Sequence, residues 1–245
     1  MVRRFQKSST NMTVPKIYEI PQWRQRPSLI HGFGSRQLRE NDLRDLGAER
    51  GFQCLFLRQI HSDVFHVVRE KPRNILRGDA LVTDRCGFFL VIKTADCLPV
   101  FLVDESESVI AAVHCGWRGT LRRLLPQVVK EMGEHFGCTP DSLRAALGPA
   151  IGVECYPVGP DVRGLFRGAG HPLEIFNSNP LDPENWRLDL RAANRHQLLA
   201  AGLEKKRIHS VDRCTYCEEN LHSFRRDGEK AGRMFNFIGL SCPKD

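Results

Sequence analysis

Three short segments carry side chains able to hold a metal ion between them. Cys97 stands in Thr94-Ala95-Asp96-Cys97-Leu98-Pro99-Val100, between two runs too apolar for a surface loop. Further on, His114 opens His114-Cys115-Gly116-Trp117-Arg118-Gly119-Thr120, and upstream lies Gln59-Ile60-His61-Ser62. Two imidazoles and a thiolate satisfy three positions of tetrahedral zinc. The fourth stays open to water or substrate, which is how a catalytic zinc differs from a structural one. Taken singly, Cys97 also fits a small core residue, and either histidine a hydrogen-bonded structural one. The placement of Cys97 and His114 at strand-end turns of one expected sheet favours a site, because α/β proteins build sites at such edges. The expectation is an enzyme.

The elements that must position these residues are apolar strands. Phe88–Ile92, Val100–Val103 and Val109–Val113 read as three neighbouring strands of one central sheet, buried on both faces. His114 falls where the third ends, and Gly116–Thr120 turns the chain into a helix. That helix carries Leu121, Leu124, Leu125, Val128, Val129, Met132 and Phe136 at helical spacing, with Pro126 expected to kink or restart it. Gly137 suits its C-terminus, and Asp189 caps a helix running to about Ala201. The strand Leu143–Leu147 leads into Gly148-Pro149-Ala150-Ile151-Gly152, a loop suited to close ligand approach. Residues 168–186, rich in Gly, Pro and Asn, read as a long loop, a lid or rim. The organisation expected is a loose N-terminal tail over 1–20 and a single α/β domain over 21–245.

Composition narrows the function classes. The apolar share of 41% and charged share of 27% are ordinary for a soluble globular protein. No apolar run approaches the roughly 20 residues needed to cross a bilayer. The basic start lacks an apolar segment behind it, so it is not read as a secretory signal; Met12 is an alternative start, and a cytoplasmic location is the default. The nine cysteines are then expected to be reduced. The net charge of +7 is dispersed in short basic pairs, with no aromatic-interleaved stripe. Nucleic acid is therefore not expected, and a small anionic or phosphate-bearing ligand is preferred.

Arg118 beside the helix-opening turn, and Arg225, Arg226 and Arg233 near Gly228 and Gly232, suit a phosphate or ribose clamp, since guanidinium matches phosphate bidentately. A solvated charged loop is the equal alternative. Thr94 is taken as a further substrate contact. Asp96 is the candidate for orienting a ligand or shuttling protons, although an extended strand would turn it away from Cys97. Cys115 would point away from His114's side, Cys214-Thr215-Tyr216-Cys217 is read as structural, and Cys155 has nothing local that demands a role.

These motifs, with Gly78-Asp79-Ala80-Leu81-Val82-Thr83, Leu147-Gly148-Pro149-Ala150-Ile151-Gly152 and Ser223-Phe224-Arg225-Arg226-Asp227-Gly228, occur in the order of one known family. From about residue 30 to 240 the chain closely resembles the YfiH or laccase-domain family, also called multicopper polyphenol oxidase or purine nucleoside phosphorylase. The resemblance implies a layered α/β/β/α sandwich with a mixed central sheet, and zinc carried by His61, Cys97 and His114. It also implies phosphorolysis of adenosine, inosine, guanosine and methylthioadenosine, together with adenosine deamination; the partners are purine nucleosides and phosphate. Departures are Glu154 where a paired cysteine is usual and Phe224 where Tyr is usual. Copper, reported for the family, is disfavoured because the nine histidines include no His-x-His pair. Two alternatives use the same residues: a cysteine hydrolase with Cys97 as nucleophile and His114 as base, acting on amide bonds of cell-wall precursors, and a non-enzymatic zinc staple, which the missing fourth ligand argues against.

Overall fold

Side-chain alternation along two strands decides the architecture. In β7 (Leu98–Asp104), Leu98, Val100 and Leu102 join one apolar cluster, whereas Phe101 and Val103 join another. Strand β8 (Ile110–Cys115) divides the same way, Ala111, Val113 and Cys115 against Ile110 and Ala112. Successive side chains on a strand face opposite ways, so a sheet apolar on both faces must be covered on both.

A computed structural model of the chain describes residues 16–106, 108–179 and 182–243. In it, β7 and β8 are central strands of a six-stranded sheet. Its order is β13 (Ile208–Ser210), β9 (Leu143–Leu147), β7, β8, β5 (Ala80–Thr83) and β4 (Phe65–Val67). One face takes helices α3 (Leu124–Phe136) and α5 (Leu190–Ala200), through Leu125, Val128, Met132, Ala193 and Leu198. The other face packs on a five-stranded sheet ordered β1 (Ile17–Tyr18), β2 (Leu29–Gly34), β14 (Met234–Leu240), β6 (Phe88–Thr94) and β3 (Gln53–Phe56). Leu90, Ile92 and Ile238 there meet Leu81, Phe101 and Ala112. Helix α1 (Glu40–Glu49) covers the far side, setting Leu43 on Phe52, Phe89 and Phe237. The layers run α/β/β/α and both main sheets are mixed, as expected. A three-stranded sheet, β10 (Pro157–Val158), β12 (Asp182–Leu188) and β11 (Phe176–Asn179), lies apart from them.

Several expectations are corrected. The segment 88–94 is not a neighbour of β7 and β8 in one sheet; β6 belongs to the opposite sheet, so residues 95–97 carry the chain between sheets. Phe176–Asn179 and Asp182–Leu188 pair as antiparallel strands rather than forming loop, because Phe176, Trp186 and Leu188 give them an apolar side to pack. The helical break falls before Pro126, at Arg123, whose φ of 60° separates α2 (Trp117–Leu121) from α3. Pro126 then sits in the first turn of α3, where a missing N–H is harmless. Gly137 ends α3 at φ 71°, and Asp189 caps α5 by accepting from the Ala192 amide at 2.8 Å, both as expected. Gly148 is small for packing, not for a ligand: a Cβ there would strike Phe33 and Pro99.

Of the expected loose tail, residues 1–15 lie outside the described residues. Residues 17–20 are not loose: β1 pairs with β2, and Ile20 is buried. Cys86 and Cys242 form a disulfide, contrary to the expectation of reduced thiols. The strands they flank, β6 and β14, are antiparallel neighbours (Phe89 opposite Gly239), which brings their Cα atoms to 5.0 Å. A sequence separation of 156 hides that proximity.

Candidate functional site

The site is built on one buried carboxylate. Asp79, just before β5, has no exposed surface. It accepts from the amides of Ile60 (3.3 Å), His61 (3.0 Å) and Ser62 (2.6 Å) and from the Ser62 hydroxyl (2.7 Å). It also bonds His114 Nδ1 at 2.8 Å. Burial pushes its pKa up, but His114 and Ser62 outweigh that and hold it at about 2. One anion thus fixes the 60–62 turn and the His114 ring together.

The local backbone is strained where the ligands sit. Among the described residues the non-glycine positive-φ positions are His61 (55°), Asp96 (89°) and Arg123 (60°), and two of these border the proposed ion. Such conformations cost about 1–3 kcal/mol and persist where surroundings over-determine them. Asp96 supplies that restraint on its side. Its carboxylate accepts from the Thr215 hydroxyl and the Arg225 amide, both at 2.6 Å, and its carbonyl accepts from the Ile151 amide at 3.0 Å.

These restraints bring His61, Cys97 and His114 together, with their ligand atoms all within 4.8 Å of one another. Since Asp79 holds Nδ1 of His114, Nε2 is the nitrogen left for an ion, the usual arrangement for a metal-bound imidazole. Gly116 leaves the space, because a Cβ there would lie 3.0 Å from Cys97 Sγ and 3.4 Å from the His61 ring. Burial works against ionising Cys97, yet the charge and hydrogen bonds of His114 and His61 bring its thiol down to about 6. Burial likewise opposes charge on His114, but Cys97 and Asp79 carry it up to about 9. Cys115 faces the helix layer, and burial drives its thiol well up. Two nitrogens and a thiolate with second-sphere support fit a zinc-type ion.

The three ligands open onto a cleft of about 520 Å³. Arg58, Lys93, Arg118, Arg225 and Arg233 line it, against Asp96 as its acid. Trp117, Tyr156 and Phe224 supply aromatic faces. Arg118 lies over Trp117, 4.3 Å from the ring centroid. Arg225 sits 5.3 Å over Tyr156 and donates to the Pro157 carbonyl at 3.2 Å. The arrangement is an electropositive, aromatic-walled cleft beside a metal-competent corner.

Two expected substrate contacts are not in the cleft. Thr94 is buried at the end of β6, its hydroxyl accepting from Asn236 at 3.0 Å. Arg226 points away, because Ser223 caps the short helix α6 (Phe224–Asp227) and a helical turn rotates neighbours apart. Its guanidinium donates to the carbonyls of Thr215 (2.9 Å), Tyr216 (3.0 Å) and Leu221 (2.8 Å) and pairs with Asp227, so it orders the 215–221 loop. Sequence reasoning passed over Asp79, although an acid between Gly78 and the apolar run Ala80-Leu81-Val82 was a signal for a buried anion. It also passed over Gln59, which clasps the Lys93 backbone through both its amide atoms.

Residues 36–241 match the family model described as multi-copper polyphenol oxidoreductase laccase. The chain is 40% identical over 192 residues to adenosine deaminase RL5 from an unknown prokaryotic organism, covering 74% of this chain and 72% of that protein. It is 39% identical over 208 residues to a purine nucleoside phosphorylase of Deinococcus radiodurans, covering 84% and 78%. The crystal structure of the hypothetical protein YfiH of Bacillus licheniformis superposes with a TM-score of 0.84 at 28% identity, covering 94% of this chain and 98% of that one. With the family model matched over residues 36–241 and the sandwich shared with the YfiH structure, the chain belongs to the laccase-like YfiH family.

Proposed function

We propose that the chain is a zinc-dependent purine nucleoside enzyme, cleaving adenosine, inosine, guanosine and methylthioadenosine with phosphate and deaminating adenosine. The observation that carries this is the coincidence of the Asp79-braced ligand trio with a cleft lined by cations and aromatics. The relatives' names supply the substrate class. A bound ion would be held by His61, Cys97 and His114 and would supply Lewis acidity.

The chain's own residues do the rest. Trp117, Tyr156 and Phe224 offer faces for a planar base, which every purine possesses. Arg118 and Arg225 hold a dianion against the ribose, so that a phosphate oxygen bonds the anomeric carbon as the bond to the base nitrogen breaks. Deamination needs no phosphate: water adds at C6 of the adenine and the C6–amino bond breaks, releasing ammonia and leaving inosine. Asp96, with both carboxylate oxygens engaged, keeps Arg225 and Thr215 in place. Copper oxidase chemistry is disfavoured by the donor set: the other His/Cys/acid cluster among the described residues contains no histidine.

The test is product analysis with those four nucleosides, with and without phosphate, before and after chelation. Free base and ribose 1-phosphate should appear only with phosphate, and inosine should form from adenosine without it. Both activities should vanish on chelation and return with Zn2+. Turnover of no nucleoside by the zinc-loaded protein would overturn the reading.

The arginines separate the two reactions. Arg118→Ala should slow phosphorolysis about 10- to 100-fold, the loss expected for one charge-assisted bond, and raise the phosphate KM. Deamination should fall far less, because it uses no phosphate. Equal losses would put Arg118 on the nucleoside instead.

A second reading rests on the depressed Cys97 thiol beside His114, the pairing of a cysteine hydrolase. Metal-stripped protein would then stay active on amide substrates and be trapped by a thiol alkylator.

A further inference from the structure

The sequence offers Cys214-Thr215-Tyr216-Cys217 with no second pair to complete a metal site. The fold supplies a third sulfur. Cys155 ends a short 3-10 turn (Val153–Cys155) and lies 3.4 Å from Cys217, Sγ to Sγ, across 62 residues of sequence. Cys155, Cys214 and Cys217 have their sulfurs all within 4.8 Å of one another. The cluster is separate from the His61, Cys97 and His114 trio and shares no residue with it.

Backbone pairing makes this meeting deliberate rather than incidental. Ala150 bridges Cys214, with the Ala150 amide donating to Arg213 and the Thr215 amide to Ala150. The Gly152 amide donates to Cys214 Sγ at 3.1 Å, an acceptor role that suits a thiolate. A Cβ at Gly152 would lie 3.2 Å from that sulfur, so the glycine permits the approach. Cys155 and Cys214 are half-buried and Cys217 is exposed, so the cluster opens towards solvent.

Distances distinguish the possible occupants. Sulfurs around a tetrahedral ion at ~2.3 Å stand roughly 3.8 Å apart, whereas a disulfide needs about 2.05 Å. The 3.4 Å between Cys155 and Cys217, with all three sulfurs within 4.8 Å of one another, lies near the first and far from the second. Three thiolates without imidazole or carboxylate select a soft ion.

We propose that Cys155, Cys214 and Cys217 form a second metal site for a thiophilic d10 ion: Zn2+ completed by water, or Cu+ held by sulfur alone. The ion fastens the 150–156 loop to the 213–218 loop. Both loops serve the cleft: Tyr156 lines it, and Thr215 anchors Asp96. The second ion therefore braces one wall of the cleft without touching the corner where the first would sit.

The experiment is metal analysis on anaerobically purified, reduced full-length protein titrated in parallel with Zn2+ and with Cu+ against a competing chelator. Cys217→Ser and Cys155→Ser should each bind about one equivalent less than wild type, and Cys97→Ala should lose a different equivalent. The ion taken up more tightly by wild type and lost in Cys217→Ser identifies the occupant. Should a variant fail to fold, wild type alone decides: Zn2+ or Cu+ should protect Cys155, Cys214 and Cys217 from N-ethylmaleimide, read by peptide mass spectrometry. Unchanged labelling, equal metal content in wild type and both variants, or a disulfide within the trio in the reduced preparation would overturn the proposal.

Discussion

Cys97→Ala should abolish both phosphorolysis and adenosine deamination in a protein that still folds. The argument is one of magnitudes. Losing an outer partner of a metal ligand usually costs about 10- to 100-fold. Losing one of three ligands outright should exceed that and empty the corner. The structural cost is small, since Cys97 is half-buried and removing one sulfur leaves no orphaned charge. His114→Ala is a poorer test, because it removes the charged partner of the buried Asp79 carboxylate, a loss of about 3–5 kcal/mol that mixes unfolding with chemistry. The measurements are melting temperature, zinc content and kcat/KM for each reaction. A folded Cys97→Ala protein that lacks the equivalent held by this corner yet keeps wild-type rates would remove that metal from the mechanism.

The legible parts of the fold were those with a local cause. Gly137 ends α3 and Asp189 starts α5 because left-handed backbone and an amide acceptor are needed at those positions. The turn of Cys115 to the helix layer, away from His114, followed from period-2 alternation alone. What failed was partner choice. A run such as Phe88–Ile92 is apolar on both faces in either sheet, so its composition cannot say which sheet it joins. Placing β6 in the opposite sheet is what turns Asp96 into a sharp connection with φ 89° instead of a strand residue.

The site was legible in its ligands and opaque in its supports. His61, Cys97 and His114 are rare residue types, the last two at strand ends and the first in the loop between β3 and β4, and the fold gathers them. Arg225 and Arg226 are identical in type and adjacent, so only the cap at Ser223 decides that the first faces the cleft and the second orders a loop. The Cys86–Cys242 link and the Cys155, Cys214, Cys217 cluster depend on contacts between distant segments, which spacing does not encode.

Asp79→Asn should separate stability from chemistry at the centre of the site. The carboxylate is surrounded by donors: three amides, one hydroxyl and the His114 ring. Asparagine keeps the shape but turns one acceptor into a donor, so at least one of those partners meets an amide hydrogen. The loss of a buried partner is worth about 3–5 kcal/mol, or a fall of roughly 6–20 °C in Tm for a chain of this size. A pH arm checks the electrostatic part. The Asp79 pKa is depressed in the folded state to about 2, so its contribution is present above the ordinary carboxylate range and is lost as pH falls through about 2. Wild-type stability should therefore drop by roughly 2 kcal/mol more than that of Asp79→Asn between about pH 4 and pH 2. Activity reports the second effect. Without the anion, His114 is a weaker and less fixed ligand, so zinc affinity should fall about 10- to 100-fold and rates should recover in excess Zn2+. A variant that melts earlier yet binds zinc as tightly as wild type would confine Asp79 to holding the 60–62 turn.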